Sequence, residues 1–222
     1  MQRYFINNDQ INNNKIYIKN DDVHHIKNVM RMHLNDEVIC CDEEKVYLTK
    51  IVNITNIVEL EIIKELQINN ELKTKVTIAQ GLVRREKTEE VIRRLTELGA
   101  NSYIPVSMKR SIVKANIDKT ERWNKIVKEA SEQSERNKLM KIYDSMSFNE
   151  LLKLKDQFSL CLYAHVSEDN NDFKNIINQF KGDNILVLVG PEGGFDQTEI
   201  KSLELAGFKR VSLGKRVLRT ET

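Results

Sequence analysis

Glycine and proline are scarce in this chain, at eight and two of 222 residues. That excludes a collagen-like or low-complexity protein and leaves little material for a long flexible linker. The three cysteines, Cys40, Cys41 and Cys161, are too few and odd in number for a disulfide framework. No apolar run reaches the roughly 18 to 20 residues of a membrane-spanning helix. The longest clean run, Ile185 to Val189, is the size of a strand. The opening segment, Met1-Gln2-Arg3-Tyr4-Phe5-Ile6-Asn7, lacks the apolar core of a secretory signal. These absences predict a cytoplasmic protein with no membrane contact. An excess of charge is also missing: 35 Lys and Arg stand against 33 Asp and Glu, a net of +2.

What is present is the mixture of a folded globular protein, with 40% hydrophobic and 31% charged residues. The length suits one large domain or two small ones. The near-zero charge hides a pattern. Residues 1–70 carry −3, residues 71–143 carry +7 and residues 144–222 carry −2. A basic middle fits a local anionic partner, most often nucleic acid. Solvated helix faces give the same count, so charge alone leaves both readings open.

The first part of the chain reads mostly as strands: Arg3–Ile6, Lys15–Ile18, Val38–Asp42, Lys45–Ile54 and Val58–Leu66, rich in β-branched and aromatic residues. Between them Asp21 to Arg31 reads as a helix, with Val23, Ile26, Val29 and Met30 three and four apart. Together they predict a small β-barrel. The polar stretch 67–75 marks a domain boundary. Beyond it strands and helices alternate. Strands are expected at Val76–Gln80, Tyr103–Val106, Ser159–Ala164, Ile185–Val189 and Lys209–Leu213. Helices are expected at Lys87–Leu98, with Val91, Ile92, Leu95 and Leu98 on one face, at Asp118 to about Arg136, at Asp172–Phe180 and at Asp196–Ala206. Alternation predicts a parallel sheet covered on both faces, with ligands bound at the carboxyl ends of its strands.

Three motifs lie at such ends. Gly190-Pro191-Glu192-Gly193-Gly194-Phe195 follows an apolar strand and precedes a helix with an acidic cap. Its glycines allow close backbone approach, but it is neither a Walker A loop nor a dinucleotide fingerprint. A ligand loop and a plain tight turn stay equally open. Leu213-Gly214-Lys215-Arg216-Val217-Leu218-Arg219-Thr220-Glu221-Thr222 follows the last strand; a second ligand loop and a frayed basic tail are both open. The basic set Arg84, Arg85, Lys87, Lys109, Arg110 and Lys114 fits phosphate contacts, with Arg84 and Arg85 expected in the loop after the first sheet strand. Arg93 and Arg94 are expected to pair with Glu89, Glu90 and Glu97 at helical spacing. His24, His25, His33, Cys40 and Cys41 lie close in sequence without metal-ligand spacing, so no metal site is expected. His165 ends a strand on the same edge, as a ligand contact or an ordinary loop residue.

These segments together resemble the ribosomal small subunit methyltransferase E family of knotted SPOUT methyltransferases. The resemblance is carried by Met1–Phe5, His25–Arg31, Thr96–Ala100, Arg122-Trp123, Glu129–Arg136, Gly190–Phe195 and Leu213–Thr222. It implies an α/β protein with a PUA-like β-barrel for RNA binding over residues 1–70 and an α/β trefoil-knot methyltransferase domain over residues 74–222. It implies S-adenosylmethionine as methyl donor, N3 of a uridine in 16S ribosomal RNA of the small ribosomal subunit as acceptor, and a homodimer. Family members continue past the Thr-Glu-Thr segment, so a closing helix is expected to be missing. Gly190, Pro191, Glu192, Gly193, Gly194, Leu213, Gly214, Arg216, Leu218 and Arg219 would hold the cofactor. Arg219 would stabilise the anion developing on the base, and Glu192 or Glu221 would accept its proton. Arg3, Arg31, Arg84, Arg85, Lys87 and Arg110 would contact RNA. A related methyltransferase with another RNA target, and a non-catalytic RNA-binding protein, are the alternatives.

Overall fold

The computed structural model describes residues 1–113, 120–166 and 173–222. Lys114 of the basic set, Asp118 at the expected start of the long helix and Asp172 at the start of the next lie outside the described residues. The chain divides into two compact units, Met1–Glu71 with Lys128–Leu139 and Leu72–Val127 with Met140–Thr222.

The first unit holds six strands, β1 (Arg3–Phe5), β2 (Ile11–Asn12), β3 (Lys15–Ile18), β4 (Glu37–Cys41), β5 (Val46–Ile54) and β6 (Val58–Leu66). They form one curled, PUA-like sheet in the order β1-β4-β5-β6-β3-β2, antiparallel except where β1 meets β4. Alternation explains its core: Ile16 and Ile18, Val38 and Cys40, and Val58 and Leu60 all turn inward onto Tyr4, Ile26 and Ile51. The expected helix from Asp21 to Arg31 is divided. Helix α1 (Asp21–His24) passes into a π-helical turn at His25–Val29. The Met30 amide donates to the His25 carbonyl, Met32 N bonds back to Ile26 O, and Arg31 ends the turn at φ +52°. Lys128–Leu139 joins this unit through Glu71, whose carboxylate accepts from Arg136 Nη2 at 2.6 Å and from the amides of Asn137 and Lys138. A pairing 65 residues apart has no local signature.

The second unit runs β7 (Lys75–Gly81), α2 (Arg85–Glu97), β8 (Ser102–Ser107), α3 (Thr120–Gln133, its last turns in the first unit), β9 (Lys141–Ile142), β10 (Met146–Ser147), α4 (Phe148–Lys153), β11 (Leu160–Ala164), α5 (Phe173–Gln179), β12 (Asn184–Val189), α6 (Gln197–Leu205) and β13 (Lys209–Val211). Every pairing is parallel, in the order β10-β8-β7-β12-β11-β13 with β9 on β8. Ala79, Ile104, Leu186 and Leu188 on the strands pack against Leu151 of α4 and Ile200 and Leu203 of α6. Gly99 and Gly207, both at φ +86°, end α2 and α6. Asp196 and Glu199 cap α6 reciprocally. Leu98, expected on the buried face of α2, is 73% exposed, because it is the cap residue where the chain leaves the helix. Helix α4 is absent from the sequence reading. Its six residues start with a Ser147–Glu150 capping box, but they are too few to show a period.

Candidate active site

The parallel sheet sends the carboxyl ends of β7, β8, β11, β12 and β13 to one edge, where loops supply ligand contacts. Strand β11 lies between β12 and β13. The loops that follow those two neighbours are the glycine loop, residues 190–195, and the loop at residues 212–222.

The glycine loop is a tight turn. Gly194 N donates to Pro191 O at 2.9 Å, and Gly194 has φ +68°, a region that favours glycine. It is pressed against its neighbours. A Cβ on Gly81, at the end of β7, would stand 2.4 Å from Pro191 Cδ, and one on Gly193 would stand 2.9 Å from Arg110 Cβ. At Gly194 and at Gly214, which has φ +116°, nothing among the described residues lies within 4 Å of an added Cβ, so there is space on that side of the loops. The two loops are joined directly: Thr220 Oγ1 donates to Gly190 O at 2.7 Å.

Charged groups brace the same loops. Lys87, on α2, lies 3.2 Å from Glu221 and 3.7 Å from Glu192. The amide of Glu221 and the Lys87 ammonium hold the Glu221 carboxyl below its ordinary range. Arg110 donates to Gly193 O at 3.3 Å and lies 3.7 Å from Asp196. Lys109 N donates to Glu199 Oε1 at 2.9 Å, which fixes the loop after β8 to the start of α6. His165 stands beside Phe195, with 6.0 Å between ring centroids. Burial and the Arg210 guanidinium lower its pKa, which favours the neutral imidazole.

Residues 70–222 match the family model described as an RNA methyltransferase domain, and residues 18–63 match the RNA methyltransferase PUA domain. The chain is 38% identical to ribosomal RNA small subunit methyltransferase E of Bacillus subtilis, over 100% of this chain and 92% of that one. It is 34% identical to the protein of the same name from Mesomycoplasma hyopneumoniae, over 100% and 95%. The chain belongs to the ribosomal RNA small subunit methyltransferase E family. The solved structure of the Neisseria gonorrhoeae methyltransferase E bound to S-adenosyl methionine superposes with a TM-score of 0.88 at 28% identity, covering 100% of this chain and 92% of that one.

In this methyltransferase the structure brings Gly190, Pro191, Glu192, Gly193 and Gly194 together with Arg219, Thr220 and Glu221. Leu213, Gly214, Arg216 and Leu218 line the exposed part of the 212–222 loop. Several expected RNA contacts are placed differently. Arg3 is 3% exposed and donates to Cys41 Sγ and Arg136 O, so it holds the fold and is out of reach of a phosphate. Arg85 is not in a loop: it is the first residue of α2 and pairs with Glu89 at 2.8 Å. Glu89 also takes Arg122 at 2.7 Å, while Arg94 pairs with Glu97. Lys87 and Arg110 brace the glycine loop. Arg31 and Arg84 are exposed. Gln80 and Tyr103 carry no local signal of a role, since their strands hold other buried polar residues, Thr77 in β7 and Ser102 in β8.

Proposed function

We propose that this methyltransferase acts as a cytoplasmic homodimer and transfers the methyl group of S-adenosylmethionine to N3 of a uridine in 16S ribosomal RNA of the small subunit. The observation that carries the reading is the Thr220–Gly190 hydrogen bond, which joins two glycine-bearing loops at the carboxyl edge of a parallel sheet. The space beside Gly194 and Gly214 leaves room for a ligand to lie close against the loops. Exposed Leu213 and Leu218 suit the walls of an adenosine site. S-adenosylmethionine supplies, when bound, a methyl group on a sulfonium cation.

The rest of the chemistry belongs to the protein. Uridine N3 carries a proton at neutral pH, so the acceptor needs a base and a cation for the charge that develops on O2 and O4. Arg219 suits the cationic role, since its side chain is 83% exposed and its ion pair with Glu221 is as long as 3.9 Å. Glu221, depressed in pKa and held by Lys87, is a weak base and serves as an anchor. Glu192 is the proton acceptor. The target base leaves its stack to reach this edge. The first unit grips RNA, with Arg31 among its contacts, and Arg84 does the same beside the site. After β13 the chain returns to Gln80 on β7, a path that suits a trefoil crossing.

Mass spectrometry of ribosomal RNA from cells lacking the protein tests the target. Loss of 3-methyluridine from 16S RNA is the expected result, and its persistence overturns the assignment. Calorimetry with S-adenosylmethionine tests the cofactor; no binding by the intact protein overturns it.

A further inference from the structure

Gln80 and Tyr103 are both 1% exposed, on neighbouring strands β7 and β8. Burying an amide and a phenol is costly unless each finds partners. Here the partners form one chain of hydrogen bonds. Tyr103 Oη donates to Gln80 Oε1 at 3.0 Å. Gln80 Nε2 donates to both the carbonyl and the hydroxyl oxygen of Thr220, at 3.1 Å each. Thr220 Oγ1 in turn donates to Gly190 O at 2.7 Å. The order of donors fixes the amide. Turned over, Gln80 would set its Oε1 against the Thr220 carbonyl, and two acceptors would face each other. Burial raises the Tyr103 pKa, so the phenol stays protonated and remains a donor.

We infer that Gln80, oriented by Tyr103, is a positioning residue that clamps the 212–222 loop onto the glycine loop and so pre-forms the methyl-donor site. The inference rests on reading those loops as the cofactor cradle. A loop already held in its binding conformation loses less entropy when a ligand arrives. The clamp thus acts on cofactor affinity through Thr220 and Gly190 without touching the cofactor itself.

Three variants test it. Tyr103→Phe removes the donor that orients the amide. Thr220→Val keeps the branched shape and removes the hydroxyl, on a loop outside the core. Gln80→Glu keeps the acceptor for Tyr103 and removes both N–H donors. Each should weaken S-adenosylmethionine binding about tenfold by calorimetry, with the KM for the cofactor rising more than kcat falls. Tyr103→Phe and Thr220→Val combined should cost less than the product of the two, because they break one chain. In the cofactor-free protein, amide hydrogen exchange should quicken in residues 190–195 and 212–222 while β7 and β12 stay protected. If the wild type binds the cofactor and Tyr103→Phe and Thr220→Val bind it equally well with unchanged loop exchange, the clamp is wrong. If the wild type binds none, the cofactor reading falls instead, and with it the purpose of the clamp.

Discussion

Charge does different work in the two units. In the first, two buried cations, Arg3 and Arg136, hold the fold. Arg136 is 5% exposed at its side chain and pairs with Glu71, while its carbonyl accepts from buried Arg3. Lys128 is committed to Asp22 at 2.5 Å, and Glu132, 3.9 Å from the same ammonium, has an oxygen without a hydrogen-bond partner among the described residues. In the second unit the charges stand at the sheet edge and hold loops: Lys87 on Glu221 and Glu192, Arg110 on Gly193. A buried pair is costly to break because it strands a charge away from water, whereas a pair at the edge is cheap to break and matters only through what it positions.

That contrast sets the order of the expected effects. Arg136→Ala strands the Glu71 carboxylate and should destabilise the protein by about 3–5 kcal/mol in urea unfolding. A loss under about 1 kcal/mol would put this pair in the surface class and remove the contrast.

Glu132 comes next. Desolvation outweighs Lys128 and, with the repulsion of Asp22, raises its carboxyl from 4.5 to about 7. A carboxyl raised in the folded state binds its proton more tightly there than in the unfolded chain. Its contribution is therefore complete below pH about 4.5 and is lost as pH rises through about 7. Glu132→Gln should remove that loss, so the variant gains about 3 kcal/mol on the wild type between pH 4 and pH 8. Parallel stability curves for the two proteins would show that the site is solvated.

At the edge, Gly193→Val should leave the fold intact and lower S-adenosylmethionine affinity at least about tenfold, since its Cβ alone meets Arg110 at 2.9 Å. Normal binding by the folded variant would take the loop out of the site. Lys87→Met should change stability by less than about 1 kcal/mol yet weaken the cofactor several-fold, because it frees Glu221. Equal binding would make Lys87 a surface group. The smallest effect belongs to Arg84→Ala, which should lower the salt dependence of RNA binding by about one charge and leave cofactor affinity alone. An unchanged slope would mean that Arg84 is only a solvated cation.

Much of this was readable residue by residue. The alternation of Ile16 and Ile18, the stripe of Val91 and Ile92, the Asp196–Glu199 cap and the stop at Gly99 are signals between near neighbours, and the corresponding elements stand where those signals put them. The glycine loop was equally plain as a composition. What misled was position without environment. Arg85 looks like a free cation in the sequence, and Arg3 is expected at RNA only through the resemblance, because nothing nearby in the chain announces the turn that starts α2 as the place of one or Arg136 as the partner of the other.

The sequence by itself determined the class of the protein, its longer strands and most of its longer helices, and the position of two candidate loops after β12 and β13, since φ freedom, capping and hydrophobic period are set within a few residues. Only the tertiary structure decided which charges hold the fold and which hold the site. Arg136 finds Glu71 across 65 residues and Gln80 finds Thr220 across 140, in contacts made by sheet order and loop closure, which leave no trace between neighbours in the chain.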